Sequence, residues 1–363
     1  MISDFRWHNA RHLLIDILMI SVCAMLCGAK SFLDMEEFGK AKEEWFRSFL
    51  KLPYGIPSHD TFRRVFSLLG AQVFAECFMK WTQSVRKSIP REVIAIDGKT
   101  IRRSFDSYKG SKAIHMVNAW ATENGLALGQ VKTEEKSNEI TAIPQLLRSL
   151  ELEGCIVTID AMGCQKNIAK EIHEADADYV LALKGNHQTA SQEVESFLED
   201  ARSKNWKEVP HDFFETVEKG HGRIETRRYW ITEKISWFAD LKDWEALRSM
   251  GMVESMRQIG ENTTVERRFY LSSLKADAKE FAGAVRSHWK VENQLHWVLD
   301  VCFSEDQCRA RTNHAAQNFA ILRQIALNTL KRDSTKKRGI QGKQKSAGWD
   351  NNYLALLLKN LYA

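Results

Sequence analysis

Paired CxxC motifs, long uninterrupted apolar runs and a strong excess of one charge are all missing from this chain of 363 residues. Its seven cysteines, Cys23, Cys27, Cys77, Cys155, Cys164, Cys302 and Cys308, are odd in number and scattered. That spacing argues against both a structural zinc site and a secreted disulfide scaffold. The most apolar stretch, residues 13–27, follows Arg6 and Arg11 but is interrupted by Asp16, and no small-residue cleavage site follows it. It is short for a membrane span of about 20 residues and does not read as a signal peptide. The expectation is a buried helix in a cytoplasmic protein with no membrane partner. Lysine plus arginine exceeds aspartate plus glutamate by 52 − 47 = 5, a bias that matters only where it is clustered. With no nucleophile elbow and no Cys/His signature, covalent catalysis by serine or cysteine has no support. His115, His221 and His296 stand at no recognised metal-ligand spacing and read as structural or substrate-proximal residues. No internal repeat is visible.

What is present is enough apolar material, 44% of residues, for a packed core, in a chain longer than one typical domain of about 100 to 200 residues. Residues 1–90 read as a helical N-terminal domain, open between DNA binding and ordinary exposed helix faces, with no recognition helix identified, helices over 13–26, 32–50, 58–69 and 71–89 and breaks at Pro53, Gly55 and Pro57. Ser58 is placed to cap a helix carrying Arg63 and Arg64. After Pro90 the period changes to that of strands: 93–97, 114–121 and 126–133, the last two joined by Glu123-Asn124-Gly125, a hairpin signal. A helix over 139–150, a strand over 155–160, a helix over 165–174 and a strand over 179–183 follow.

Three antiparallel strands and then alternating helix and strand predict an α/β fold with a mixed sheet. The order suits a ribonuclease H-like core over residues 91–205. In such a core the first and fourth strands run side by side, so Asp97 and Asp160, each closing an apolar run, become neighbours. Residues 206–275 predict a β-rich insertion, with strands over 213–217, 224–232, 252–259 and 265–274. Residues 276–332 predict the remaining helices of the core, including one over 313–331, and 333–363 a basic linker and a C-terminal helix. Between Lys331 and Lys345 seven basic residues face one acid, Asp333, a pattern for a solvated linker or a phosphate-contacting arm.

The stretch Ser287-His288-Trp289-Lys290-Val291-Glu292-Asn293-Gln294-Leu295-His296-Trp297 carries the third acid. At helical spacing Val285, Trp289, Glu292, His296 and Leu299 share one face, which aims Glu292 at the packed side. A carboxylate there is costly unless it meets a metal or a cation. Two aspartates and a glutamate from separate elements are a donor set for Mg²⁺, with Mn²⁺ as a substitute. A pair of such ions can activate a water or 3′-hydroxyl on one side of a phosphodiester and stabilise the leaving oxygen on the other.

Cations surround these acids: Lys99, Arg102 and Arg103 after Asp97, Lys184 and His187 after the fifth strand, and Arg286, His288 and Lys290 beside Glu292. Each reads equally as a DNA phosphate contact or as a solvated surface charge or salt-bridge partner of Asp300, Glu305 and Asp306. Arg309 and Arg311 lie beyond. Trp289 and Trp297 have the spacing of core aromatics, with stacking on an exposed base as the alternative.

Five segments resemble one family: Ile94-Ala95-Ile96-Asp97-Gly98-Lys99, Val157-Thr158-Ile159-Asp160-Ala161-Met162-Gly163-Cys164-Gln165, Tyr179-Val180-Leu181-Ala182-Leu183-Lys184-Gly185-Asn186, Tyr270-Leu271-Ser272-Ser273-Leu274, and His288-Trp289-Lys290-Val291-Glu292-Asn293 with Leu299-Asp300-Val301. The chain is similar to insertion-sequence transposases with a DDE triad, in the branch of H-repeat-associated proteins. The resemblance implies a ribonuclease H-like catalytic domain, a β-rich insertion before the glutamate, Mg²⁺ dependence, and cutting and joining of element-end DNA. Asp97, Asp160 and Glu292 match its three metal-binding acids. Double-stranded DNA is the implied partner, with a homodimer formed on it. Where the broader superfamily has tyrosine and arginine before the glutamate and lysine after it, this chain has Val285, His288 and Leu299. Alternatives within the same chemistry are an endonuclease without strand transfer and a catalytically silent DNA-binding relative.

Overall fold

The computed structural model describes residues 4, 10–105, 108, 110, 112–133, 139–185, 188–220 and 222–361. Asn186, His187 and His221, named above, lie outside them. The N-terminal part is helical: α1 (Leu14–Leu26), α2 (Phe32–Ala41), α3 (Glu43–Arg47), α4 (His59–Leu68) and α5 (Ala71–Val85). In α4 the Ser58 hydroxyl accepts from the Thr61 amide at the N-terminus, as its position predicts. The single helix expected over 32–50 breaks at Lys42 into α2 and α3. In α1 the interrupting Asp16 is buried and accepts the Leu52 amide at 3.0 Å, so its charge is tied to the loop before α4. No helix of the described residues is long and apolar enough to cross a membrane.

Strands β1 (Val93–Thr100), β2 (His115–Ala121) and β3 (Leu126–Lys132) form an antiparallel meander. Then come α6 (Glu139–Leu147), β4 (Ile156–Ile159), α7 (Lys166–Glu174), β5 (Asp178–Leu183) and α8 (Gln188–Ser203). Helix α8 was not anticipated, although Ala190, Val194, Leu198 and Ala201 recur at helical spacing and are buried. The region read as an insertion holds β6 (Asp212–Gly220), β7 (Arg223–Thr232), β8 (Ser249–Ile259) and β9 (Asn262–Ser272). These four strands extend the main sheet, because β9 pairs antiparallel with β5. The result is one nine-stranded sheet of order β3-β2-β1-β4-β5-β9-β8-β7-β6, whose first five strands have the ribonuclease H-like order.

Strand alternation divides the core. On one face Ile94 and Ile96 of β1 pack with α6, α7 and α8 through Ile143, Leu146, Ile168, Ile172, Val194 and Leu198. On the other, Ala95, Trp120 and Ala127 meet helices from both chain ends, α1, α4 and α5 with α10 (Trp297–Phe303), α11 (Ala315–Arg332), α12 (Ile340–Trp349) and α13 (Asn351–Lys359). Helix α9 (Ala278–His288) covers the adjoining part of that face through Phe281, Ala282 and Val285. Gly251 permits its approach, since a Cβ there would lie 2.5 Å from the Phe281 ring. The basic run that starts at Lys331 is only partly solvated: Lys337, Arg338 and Lys345 are exposed, whereas Lys331 and Lys343 are packed. Lys343 is buried and donates to the Leu330 carbonyl at 2.8 Å, and Lys331 lies 4.7 Å from the Trp120 ring centroid.

Candidate active site

The parallel pairing of β1 and β4 ends on Ile96 opposite Ile159. Asp97 and Asp160 are the next residue of each strand path, and adjacent strands lie about 4.8 Å apart. Their neighbourhood is therefore a product of register. Each side chain is oriented locally: the Gly98 amide donates to Asp97 Oδ1 at 2.9 Å, and the Met162 amide to Asp160 Oδ1 at 3.1 Å.

Glu292 reaches the same place by a different route. Asp277 caps α9 through the Lys279 and Glu280 amides. At the far end of α9, His288 Nδ1 hydrogen-bonds the Thr158 hydroxyl of β4 at 3.1 Å. After Trp289 the chain makes a π-helical turn over Glu292–His296 before α10 begins. The wider turn breaks the 3.6 period, and the buried stripe becomes Val291, Leu295, Leu299 and Phe303. The expectation that Glu292 faces the packed side is corrected accordingly: its side chain is 59% exposed, whereas that of His296 is 4% exposed. Trp289, at the end of α9, and Trp297, both expected in the core, are exposed.

Ligand atoms of Asp97, Glu292 and His296 all lie within 4.8 Å of one another. His296 Nδ1 stands 3.1 Å from Glu292 Oε2 and 3.5 Å from Asp97 Oδ2. Its Nε2 is buried without a hydrogen-bond partner among the described residues. A fourth acid, absent from the sequence reading, stands close by. Glu139, opening α6, bonds His115 Nε2 at 2.6 Å, and His115 Nδ1 bonds the Thr100 hydroxyl at 2.8 Å. Gly98 makes room for this pair, because a Cβ there would fall 2.0 Å from Glu139 Oε1. The available signal was Glu139 at the head of a helix that follows the third strand.

Burial and crowded negative charge dominate the electrostatics. The Asp97 carboxyl is pushed up to about 7, first by burial and then by Asp160, with Glu139 and Glu292 adding to the effect. Asp160 is raised by burial and by Glu139. Burial lowers His296 and takes His288 down to about 4, so both rings are neutral near pH 7. A site that holds this much uncompensated negative charge favours a bound cation.

The Transposase DDE domain family matches residues 88–329, which span every residue of this cluster, and a DDE_Tnp_1-associated domain matches residues 1–82. The chain belongs to the DDE transposase family. The H repeat-associated putative transposase YhhI of Escherichia coli (strain K12) is 40% identical over 365 residues, covering 99% of this chain and 96% of that protein. The putative transposase YncI of Escherichia coli O157:H7 is 42% identical over 363 residues, covering 99% of this chain and 92% of that protein. A solved piggyBac transposase synaptic complex with hairpin DNA shares 11% identity at a TM-score of 0.45, covering 98% of this chain and 76% of that one. That likeness is too slight to carry residue roles across.

The basic residues of this transposase fall into two groups. Lys184 and Arg103 are exposed, and Arg102 is exposed with its guanidinium 3.2 Å from Asp306. The others are engaged within the protein. Lys99 is nearly buried, bonded to Asp300 and to Glu305 at 2.9 Å. Arg286 holds Glu218 at 2.6 and 2.8 Å, Lys290 holds Glu123 at 2.8 Å, and His288 is spent on Thr158. Beside Asp160 opens a cavity of about 400 Å³ whose lining includes Lys184, Arg268, Tyr270, His288 and Trp289. The Arg268 guanidinium lies 4.7 Å from the Trp289 ring centroid.

Proposed function

We propose that this transposase hydrolyses a phosphodiester at an element end in a metal-dependent step and then directs the freed 3′-hydroxyl onto target DNA. The observation that carries the reading is the approach of Glu292 to Asp97, whose other neighbour is Asp160 at the point where β1 and β4 run parallel. Asp97, Asp160 and Glu292 are the residues that would hold Mg²⁺, or Mn²⁺ in its place, and their oxygen donors suit either ion. When bound, divalent cations supply Lewis acidity to the attacking and leaving oxygens of an in-line displacement.

The chain's own contribution is position and charge. Strand register sets two carboxylates, the π turn brings the third, and the raised Asp97 and Asp160 provide a site that cations relieve. Exposed Lys184, Arg102 and Arg103 supply charge for the phosphates of double-stranded DNA. Two copies of the chain, one per element end, would assemble on that DNA.

The test combines protein, Mg²⁺, DNA flanking the coding region and a supercoiled plasmid. Wild type is expected to yield joined products, and Asp97→Asn, Asp160→Asn and Glu292→Gln to bind DNA without cutting it. Cleavage without joining would reduce the protein to an endonuclease, and binding without cleavage to a silent relative. Substantial cleavage by one variant would remove that residue from the site.

A further inference from the structure

The ring of His296 is not satisfied by the protein around it. It is buried, its Nε2 has no partner among the described residues, and its Nδ1 faces oxygens of both Glu292 and Asp97. With the proton on Nδ1, the Nε2 lone pair is stranded. With the proton on Nε2, the Nδ1 lone pair faces two carboxyl groups, an arrangement that a cation between them, or a proton on Asp97, relieves.

The distances point the same way. Around an octahedral ion with bonds of about 2.1 Å, adjacent ligand atoms lie about 3.0 Å apart. The Nδ1 separations of 3.1 and 3.5 Å are close to such an edge. Glu292 and His296, four residues apart, are neighbours along the π turn, Glu292 on its exposed side and His296 on its buried side.

We propose that His296 Nδ1 is a direct ligand of the divalent cation held by Asp97 and Glu292, giving this transposase a mixed nitrogen and oxygen donor set. The inference rests on the metal-dependent reading above and adds to the three acids a residue that their motif does not contain. A nitrogen donor raises affinity for Mn²⁺ relative to Mg²⁺, since imidazole suits transition metals and Mg²⁺ prefers oxygen.

The experiment binds Mn²⁺ alone to the full chain and records its pulsed paramagnetic resonance spectrum, with unlabelled protein and with ¹⁵N-histidine. The expected spectrum carries a coordinated imidazole nitrogen whose modulation changes with the label. His296→Ala should abolish it and weaken Mn²⁺ binding by about tenfold or more, the scale that loss of even an outer-shell partner carries, with a smaller change for Mg²⁺. Absence of nitrogen coupling in wild type, or its persistence in His296→Ala, would overturn the proposal, and the wild-type measurement does not depend on how the variant folds. Asp97→Asn separates the two readings. If it binds Mn²⁺ as tightly as wild type, the acid site itself is wrong; if it loses Mn²⁺ while wild type shows no nitrogen coupling, only the His296 ligation fails.

Discussion

Lys99 Nζ donates to Glu305 Oε2 at 2.9 Å, joining the strand that carries Asp97 to the segment that follows the Glu292 helix. Lys99 and Glu305 side chains are 10% and 4% exposed, and the nearest other cation to Glu305 is Arg323 at 3.7 Å. Lys99→Ala therefore takes the hydrogen-bonded cation from a buried carboxylate and leaves it only the longer Arg323 pair, and chemical denaturation should show a loss of about 3 kcal/mol. Because the ammonium is turned inward, the salt dependence of DNA binding by the surviving folded protein should match wild type.

Lys184 makes the opposite case, exposed at the end of β5 on the rim of the cavity beside Asp160. Lys184→Ala should leave stability unchanged within about 0.5 kcal/mol. It should lower the slope of log affinity for DNA against log salt by about 0.9, the release of one counterion. An unchanged slope would remove Lys184 from the DNA interface.

Asp97 titrates upward on folding, from 3.8 to about 7. The folded chain thus binds more protons than the unfolded chain between those values, and stability is lost as pH rises through that window. Chelator-treated wild type should melt at a higher temperature at pH 5 than at pH 8. Asp97→Asn should flatten that difference and gain up to about 4 kcal/mol at pH 8, and Mg²⁺ should raise the wild-type melting temperature only.

Gly98→Ala would set a methyl group 2.0 Å from Glu139 Oε1 and 2.5 Å from His115 Nε2. The pair must move, at a cost of about 1 to 3 kcal/mol, and Asp97 moves with its own neighbour. Cleavage should fall with it. Wild-type cleavage rates in a folded Gly98→Ala protein would show that the placement of Glu139 does not matter to the site.

Asn328 on α11 accepts the Ala127 amide at 2.9 Å and donates to the Ala127 carbonyl at 2.8 Å, closing the outer edge of β3. Asn328→Leu leaves both buried backbone groups without partners. Thermal unfolding should show a loss of about 2 to 5 kcal/mol, and a smaller loss would mean that water replaces the amide.

Short-range patterns made much of the fold legible. Apolar runs closed by Asp97 and Asp160, the Asn124-Gly125 hairpin and the four strands of the insertion all depend on residues within a few positions of one another. The Glu292 helix departs from its pattern because a π turn adds a residue where a 3.6 period is assumed, and Glu292 and Trp297 lie outward. Glu139 is not legible as a site residue, and Lys99 stays open between a phosphate contact and a salt bridge with Asp300, Glu305 or Asp306, because their partners are distant in sequence. Lys99 meets Glu305 across 206 positions, and no local pattern shows that a lysine is paired.

Element types, the mixed α/β order and the family motifs are legible along the chain, since these follow from side-chain period, turn chemistry and residue identity. Folding alone settles that the β-rich segment continues the main sheet through β5 and β9, which cations are paired, and that His296 stands between Asp97 and Glu292. Register, burial and charge pairing between remote segments are set by packing of the whole chain, and the energy of each pair depends on neighbours that local sequence does not specify.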